Sequence, residues 1–113
     1  MKDDGVYLRH IQESIRRIEQ NTAVGQDEFG RSHTLQDAVL RNLQTMSEAT
    51  QRLSDGLKGA HPNVEWKRIS AFRNVLVHNY LGIDLETVWT VVREQVPELK
   101  AEVEKMLDEL PGS

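Results

Sequence analysis

Four stretches of this chain repeat apolar residues at three- and four-residue steps, and turn residues separate them. That pattern fixes α-helix as the building block. In the first stretch, Asp4 to Asn21, the residues Tyr7, Leu8, Ile11, Ile15 and Ile18 fall on one face. Asn21 and Gly25 stand where it should stop. Residues 22–31 read as a connection anchored by Phe29. Ser32 can cap a second helix, His33 to Leu57, with Leu35, Val39, Leu43, Met46, Thr50 and Leu53 inward. The stretch Gly56 to Pro62 reads as a break. Asn63 can cap a third helix, Val64 to Asn79, that buries Trp66, Ile69, Phe72, Leu76 and Val77. Gly82 suits its stop. Asp84 can cap a fourth helix carrying Leu85, Val88, Trp89 and Val92. Pro97 interrupts it and predicts a kink or restart, after which Leu99, Val103, Met106 and Leu110 continue the stripe. Strand signals are nearly absent. The expected fold is all-α: one domain over residues 1–113, a four- to five-helix up-and-down bundle.

A chain of 113 residues builds only a modest core, so a homodimer would be a natural source of extra stability. There are no cysteines, which closes disulfide, zinc-thiolate and iron–sulfur readings. No window reaches the length of a membrane span. The start, Met1 to Gly5, is charged with no apolar stretch behind it, so no signal peptide is expected and the cytoplasm suits the chain. His10, His33 and His61 lack metal-ligand spacing and read as surface or loop residues.

Net charge is −4, which argues against nucleic acid at first sight. The charge is unevenly spread. Residues 41–80 hold six basic and three acidic side chains, whereas residues 81–113 hold three and eight. The middle third therefore permits a phosphate-binding surface, while ordinary solvated helix faces would look the same. Lys67 and Arg68 sit where they could touch an RNA backbone, or simply solvent.

The segment Phe72-Arg73-Asn74-Val75-Leu76-Val77-His78-Asn79-Tyr80 concentrates the chemistry. Each residue has an ordinary structural role open to it. Arg73 could pair with Glu48 on the neighbouring helix. His78 could be a helix-end residue favoured by the dipole. Tyr80 could pack with a wet hydroxyl. Together they can do more. Imidazole both takes and gives a proton near neutral pH. Guanidinium binds two phosphate oxygens at once. RNA supplies its own nucleophile, the 2′-hydroxyl. Arg73 and His78 would then suffice for strand cleavage, with no metal and no cofactor. Helical geometry imposes a condition. Residues five apart point roughly 140° away from each other, so one straight helix cannot aim both at one phosphate. Either the helix unwinds after Val77, or a two-fold dimer brings two copies of the motif to one cleft. The second solution is favoured, with some contribution from the first.

The spacing Arg73-x4-His78-x-Tyr80 resembles the signature of the HepT toxins, a branch of the HEPN superfamily, and Asn74 matches the polar residue that often follows the arginine. The surrounding sequence is similar too. Asp37-Ala38-Val39-Leu40-Arg41-Asn42-Leu43, Ser47-Glu48-Ala49, His61-Pro62, Trp66, Val88-Trp89 and Val96-Pro97-Glu98-Leu99 fall in that family's order and spacing. Ser47 stands where the family usually has glycine, and Phe72 where methionine is common. The resemblance covers about Tyr7 to Leu107. It implies a homodimeric, metal-independent endoribonuclease with the motif at the dimer cleft, encoded beside an MNT-type minimal nucleotidyltransferase antitoxin. That partner would transfer AMP onto Tyr80, placing phosphate where RNA phosphate must bind. In this reading Arg73 and His78 are catalytic, Asn74 and Asn79 support them, and Glu48 orients Arg73. The alternative is a non-catalytic regulatory or substrate-binding partner of a nucleotidyltransferase. A plain helical interaction module is a third reading.

Overall fold

The computed structural model describes residues 3–111; Met1 and Lys2, where the charged start begins, lie outside the described residues. Four long helices form the frame: α1 (Asp4–Thr22), α3 (His33–Gln51), α5 (Trp66–His78) and α7 (Val96–Glu109). Three short helices join them, α2 (Gln26–Arg31), α4 (Asp55–Ala60) and α6 (Leu85–Thr90). The long helices alternate in direction. Ser14 meets Thr45 across α1 and α3, and Arg73 meets Glu48 across α5 and α3. Lys100 meets Glu19 across α7 and α1. The α1–α3 pair is the most extensive contact, with α5 on one flank and α7 on the other. The result is the expected all-α up-and-down bundle, 43 × 26 × 22 Å in extent.

The apolar stripes meet as their spacing requires. Leu8, Ile11, Ile15 and Ile18 of α1 lie against Val39, Leu43 and Met46 of α3, with Leu76, Val88, Leu99, Val103 and Met106 closing the core. Phe29 is buried as expected and its ring meets Trp89 at 5.3 Å, which fastens the α2 connection to α6. Ser32 caps α3 by accepting from the Leu35 N–H, and Asp84 caps α6 by accepting from the Glu86 N–H. The four frame helices are not equally anchored. Leu76 is the one fully buried side chain of α5, whereas α1 buries six residues and α3 seven.

Several expected boundaries are corrected. The second helix does not reach Leu57. It ends at Gln51, and a separate turn of helix begins at Asp55. The cause lies fifty residues away: the Asp4 carboxylate accepts from both the backbone N–H (2.8 Å) and the hydroxyl (2.7 Å) of Ser54. That hydroxyl in turn accepts from the Leu57 N–H, so Ser54 caps a new helix across the stretch that reads as a break. Asn63 does not cap the third helix, because its amide donates to Glu102 at 3.0 Å. Helix α5 starts at Trp66 instead. The Trp66 indole N–H reaches the carbonyls of Lys58 and His61, both at 3.1 Å, and ties the helix start to α4. Val77 is exposed rather than inward. Pro97 acts as expected. It deprives the Arg93 carbonyl of a helical partner, and Val91–Gln95 widens into a π turn before α7 restarts at Val96.

The largest departure is His61. It was expected at the surface, yet it lies between α4 and α5 and is 6% exposed. Its Nδ1 is 2.5 Å from Glu102 and its Nε2 is 2.9 Å from Glu109, both on α7. The Glu102 carboxylate raises the imidazole above its ordinary value, against the opposing effect of burial, with Glu109 adding to the rise. Glu102 is held below the usual carboxylate range by Asn63 and then by His61.

Candidate functional site

The motif helix α5 packs beside α3, and that pairing sets the position of Arg73. Its guanidinium is half-buried against Glu48, with Nη2 3.6 Å from the carboxylate, too long for a hydrogen bond but close enough for charge attraction. Nη1 donates to the Asn74 side chain at 3.3 Å. Nε is buried and has no partner within the described residues. An arginine has five N–H donors, and a buried orphan donor is costly. Arg73 therefore keeps one donor, Nε, unused inside the bundle, while the rest of its part-exposed guanidinium lies beside Glu48. The pairing with Glu48 that was open as a purely structural role is present, but it leaves the guanidinium unsaturated.

His78 is the last residue of α5 and is exposed. The helix does not unwind after Val77 as one of the two sequence-derived solutions required; it holds through His78 and ends there. Asn79 then leaves helical geometry at φ −141° and ψ 46°, its N–H bonded to the Val75 carbonyl at 2.8 Å. A 3₁₀ turn, Tyr80–Gly82, follows. Arg73 thus turns toward α3 while His78, five residues on, stands at the exposed helix end. The turn carries Tyr80 back toward α3, where its hydroxyl donates to Asp37 at 3.5 Å. Burial, and then the Asp37 carboxylate, push the phenol above its ordinary value, so it stays protonated near neutral pH. Asp37 belongs to one of the family-like phrases of the sequence, but nothing in the sequence marks it as the partner of Tyr80.

Gly82 permits this turn. A Cβ there would come within 2.6 Å of the Asn79 side chain. Asn79 thus occupies the space that any other residue at position 82 would claim. Beside the turn, Val75, Val77, Tyr80 and Leu81 are exposed, Leu81 almost completely at 97%.

Residues 11–106 match the family model described as HepT-like, ribonuclease HepT-like. The chain belongs to the HepT-like ribonuclease family. Membership makes it a ribonuclease by class, built on the HEPN-type bundle that its helices form. A Methanocaldococcus jannaschii protein whose name joins gamma-glutamylcyclotransferase to RNase is 38% identical over 110 residues. That match takes in 96% of this chain and 50% of the relative, so the chain spans about half of that protein. A shorter RNase-named protein of the same organism is 35% identical over 91% of this chain and 95% of its own length. A protein of Thermococcus cleftensis named as a HepT ribonuclease is 34% identical over 88% of this chain and 92% of its own length. No solved structure matches the chain with significance.

Among the described residues, no group of three or more His, Cys, Asp or Glu side chains is placed to hold a metal ion. No described helix is long and apolar enough to cross a membrane.

Proposed function

We propose that this chain is the toxin of a cytoplasmic toxin–antitoxin pair, a homodimeric endoribonuclease that cuts RNA without a metal through Arg73 and His78. The observation that carries the proposal is the half-open Arg73, with a buried unpartnered Nε, on a helix that ends at an exposed His78. Arg73 would neutralise the phosphoryl oxygens as negative charge builds on them. The substrate's 2′-hydroxyl gives up its proton to solvent and its oxygen bonds to the adjacent phosphorus, while the bond from phosphorus to the 5′-oxygen breaks. His78 supplies the proton that the leaving oxygen takes. Asn74 holds the guanidinium from its own helix and Glu48 orients it from α3. Asn79 supports the turn that carries Tyr80.

Because the two catalytic side chains diverge on one straight helix, the site is completed by a second copy. The exposed apolar Val75, Val77 and Leu81 beside the motif support that pairing. Tyr80 would be the point of control by an MNT-type nucleotidyltransferase. Its oxygen attacks the α-phosphorus of ATP, pyrophosphate leaves, and Asp37 is placed to accept the phenolic proton. The bound nucleotide phosphate then repels RNA from the cleft.

Mixed dimers test the composite site. Arg73→Ala and His78→Ala protomers, each inactive alone, should regain RNA cleavage when mixed, because one of the two clefts is then intact. Activity that follows only the parent protomer would remove the composite cleft. Harmless expression of both parent and His78→Ala chains, with tight nucleotidyltransferase binding, would favour a regulatory subunit. Mass spectrometry of the co-expressed pair should show AMP-sized additions that Tyr80→Phe abolishes.

A further inference from the structure

A groove of about 970 Å³ runs along α1 and α3 and reaches Arg73. Its lining includes no residue of α6 or α7, where the acidic excess of the sequence lies. Four arginines face it, Arg17, Arg41, Arg52 and Arg73, against two carboxylates, Glu13 and Glu48. Arg17 is occupied by Glu13 at 3.1 Å and Arg73 touches Glu48. Arg41 and Arg52 are exposed, and neither has a carboxylate within ion-pair distance among the described residues. The uncompensated positive charge of the groove therefore sits on these two side chains.

Their spacing follows from one helix face. Positions 41, 45 and 48 of α3 and its C-cap residue 52 recur at four-, three- and four-residue steps, which places Arg41 and Arg52 about 16 Å apart along the axis with Glu48 between them. The floor between α1 and α3 is made of small side chains, Ser14, Thr45 and Ala49, with the Ser14 and Thr45 hydroxyls 3.0 Å apart. The Arg52 end carries two rings, Tyr7 and His10, edge to face with centroids 6.1 Å apart. Cations at both ends, a floor of small side chains and a half-buried Tyr7 beside an exposed His10 suit a single nucleic-acid strand, whose phosphates take the arginines and whose bases take the rings.

We infer that the α1–α3 groove is a track for single-stranded RNA flanking the cut, with Arg41 and Arg52 holding phosphates and the Tyr7–His10 pair receiving a base. The inference rests on the nuclease reading for its substrate class, but it assigns binding residues outside the Arg73–His78 motif. These residues position the strand and take no part in the proton transfer.

The test uses the full-length chain and a short single-stranded 2′-O-methyl RNA of mixed sequence, which lacks the free 2′-hydroxyl needed for cleavage. The Arg41→Ala/Arg52→Ala double variant should bind it at least roughly tenfold more weakly. The slope of log affinity against log salt should fall by about 0.7 for each arginine removed. Arg41→Lys/Arg52→Lys should restore most of the salt dependence. Tyr7→Leu should weaken binding roughly fivefold or more with the slope unchanged. On cleavable RNA the double alanine variant should raise KM and leave kcat near the parent value. Unchanged affinity and slope in that variant, or no binding by the parent chain, would overturn the groove. So would a change in its oligomeric mass by light scattering, which would make the groove a protein contact. If the parent binds through the groove yet cuts no RNA, the groove stands and the nuclease reading falls.

Discussion

Two ionic clusters of this molecule, one at His61 and one at Arg73, differ in one respect that separates structure from chemistry. Around His61, the ring nitrogens, the Glu102 carboxylate and the Asn63 amide all find partners, and His61 and Glu102 are each about nine-tenths buried or more. Around Arg73, one contact is long, one nitrogen has no partner among the described residues, and the imidazole of His78 is exposed. A closed cluster holds parts of the chain together. An open one leaves donors for something that is not part of the chain. The sequence presents both as polar residues near helix ends, and only the completeness of their partnerships tells them apart.

The sharpest way to break that comparison is to remove one member of each cluster. His78→Ala should lower RNA cleavage by roughly 10²- to 10⁴-fold. Its unfolding free energy should stay within about 0.5 kcal/mol of the parent, as for an exposed side chain. A large loss of stability would make His78 structural. His61→Ala should do the reverse. It strands the buried Glu102 and should destabilise the fold by roughly 1–3 kcal/mol in chemical denaturation, with cleavage per folded molecule near normal.

The pH profile sharpens the contrast further. His61 is raised on folding, so its contribution is complete below its unfolded value and is lost as pH climbs through the folded one. Glu102 is lowered on folding, so its contribution is complete above its unfolded value and is lost as pH falls through the folded one. Melting temperature against pH should therefore show a plateau bounded on the alkaline side by His61 and on the acid side by Glu102. His61→Ala should remove the alkaline shoulder; an unaltered shoulder would assign it elsewhere. The smallest effect is expected from Gly82→Ala. The added methyl must displace the Asn79 side chain, so cleavage and Tyr80 modification should fall several-fold while stability changes by about 1 kcal/mol or less. Parent-like activity would show that the turn tolerates the shift.

Much of the frame was legible in the sequence because its signals are local. The stripe spacing marks α1, α3, α5 and α7, Ser32 and Asp84 mark two caps, and Pro97 marks a restart. The failures share a physical cause. Leu53 and Leu57 continue the apolar stripe of α3, but Asp4 reaches Ser54 and starts a new helix there. Asn63 has the chemistry of a cap, but Glu102 claims its amide. His61 carries no local sign of burial, since its partners lie 41 and 48 residues further on. At the candidate site, residue types and spacing singled out Arg73, His78 and Tyr80, and pairing of α3 with α5 places Glu48 beside Arg73. The same pairing brings Asp37 to Tyr80, a contact that no helical periodicity encodes.

The single fully buried side chain of α5 also bears on how the bundle breathes. Local opening free energy follows the apolar surface that a segment gives up, so the motif helix should detach more readily than α1 or α3. Its amide protons should exchange soonest of the four frame helices, and a protease should nick this edge first. Bound RNA, or a second copy clamped over Val75 and Leu81, would slow both.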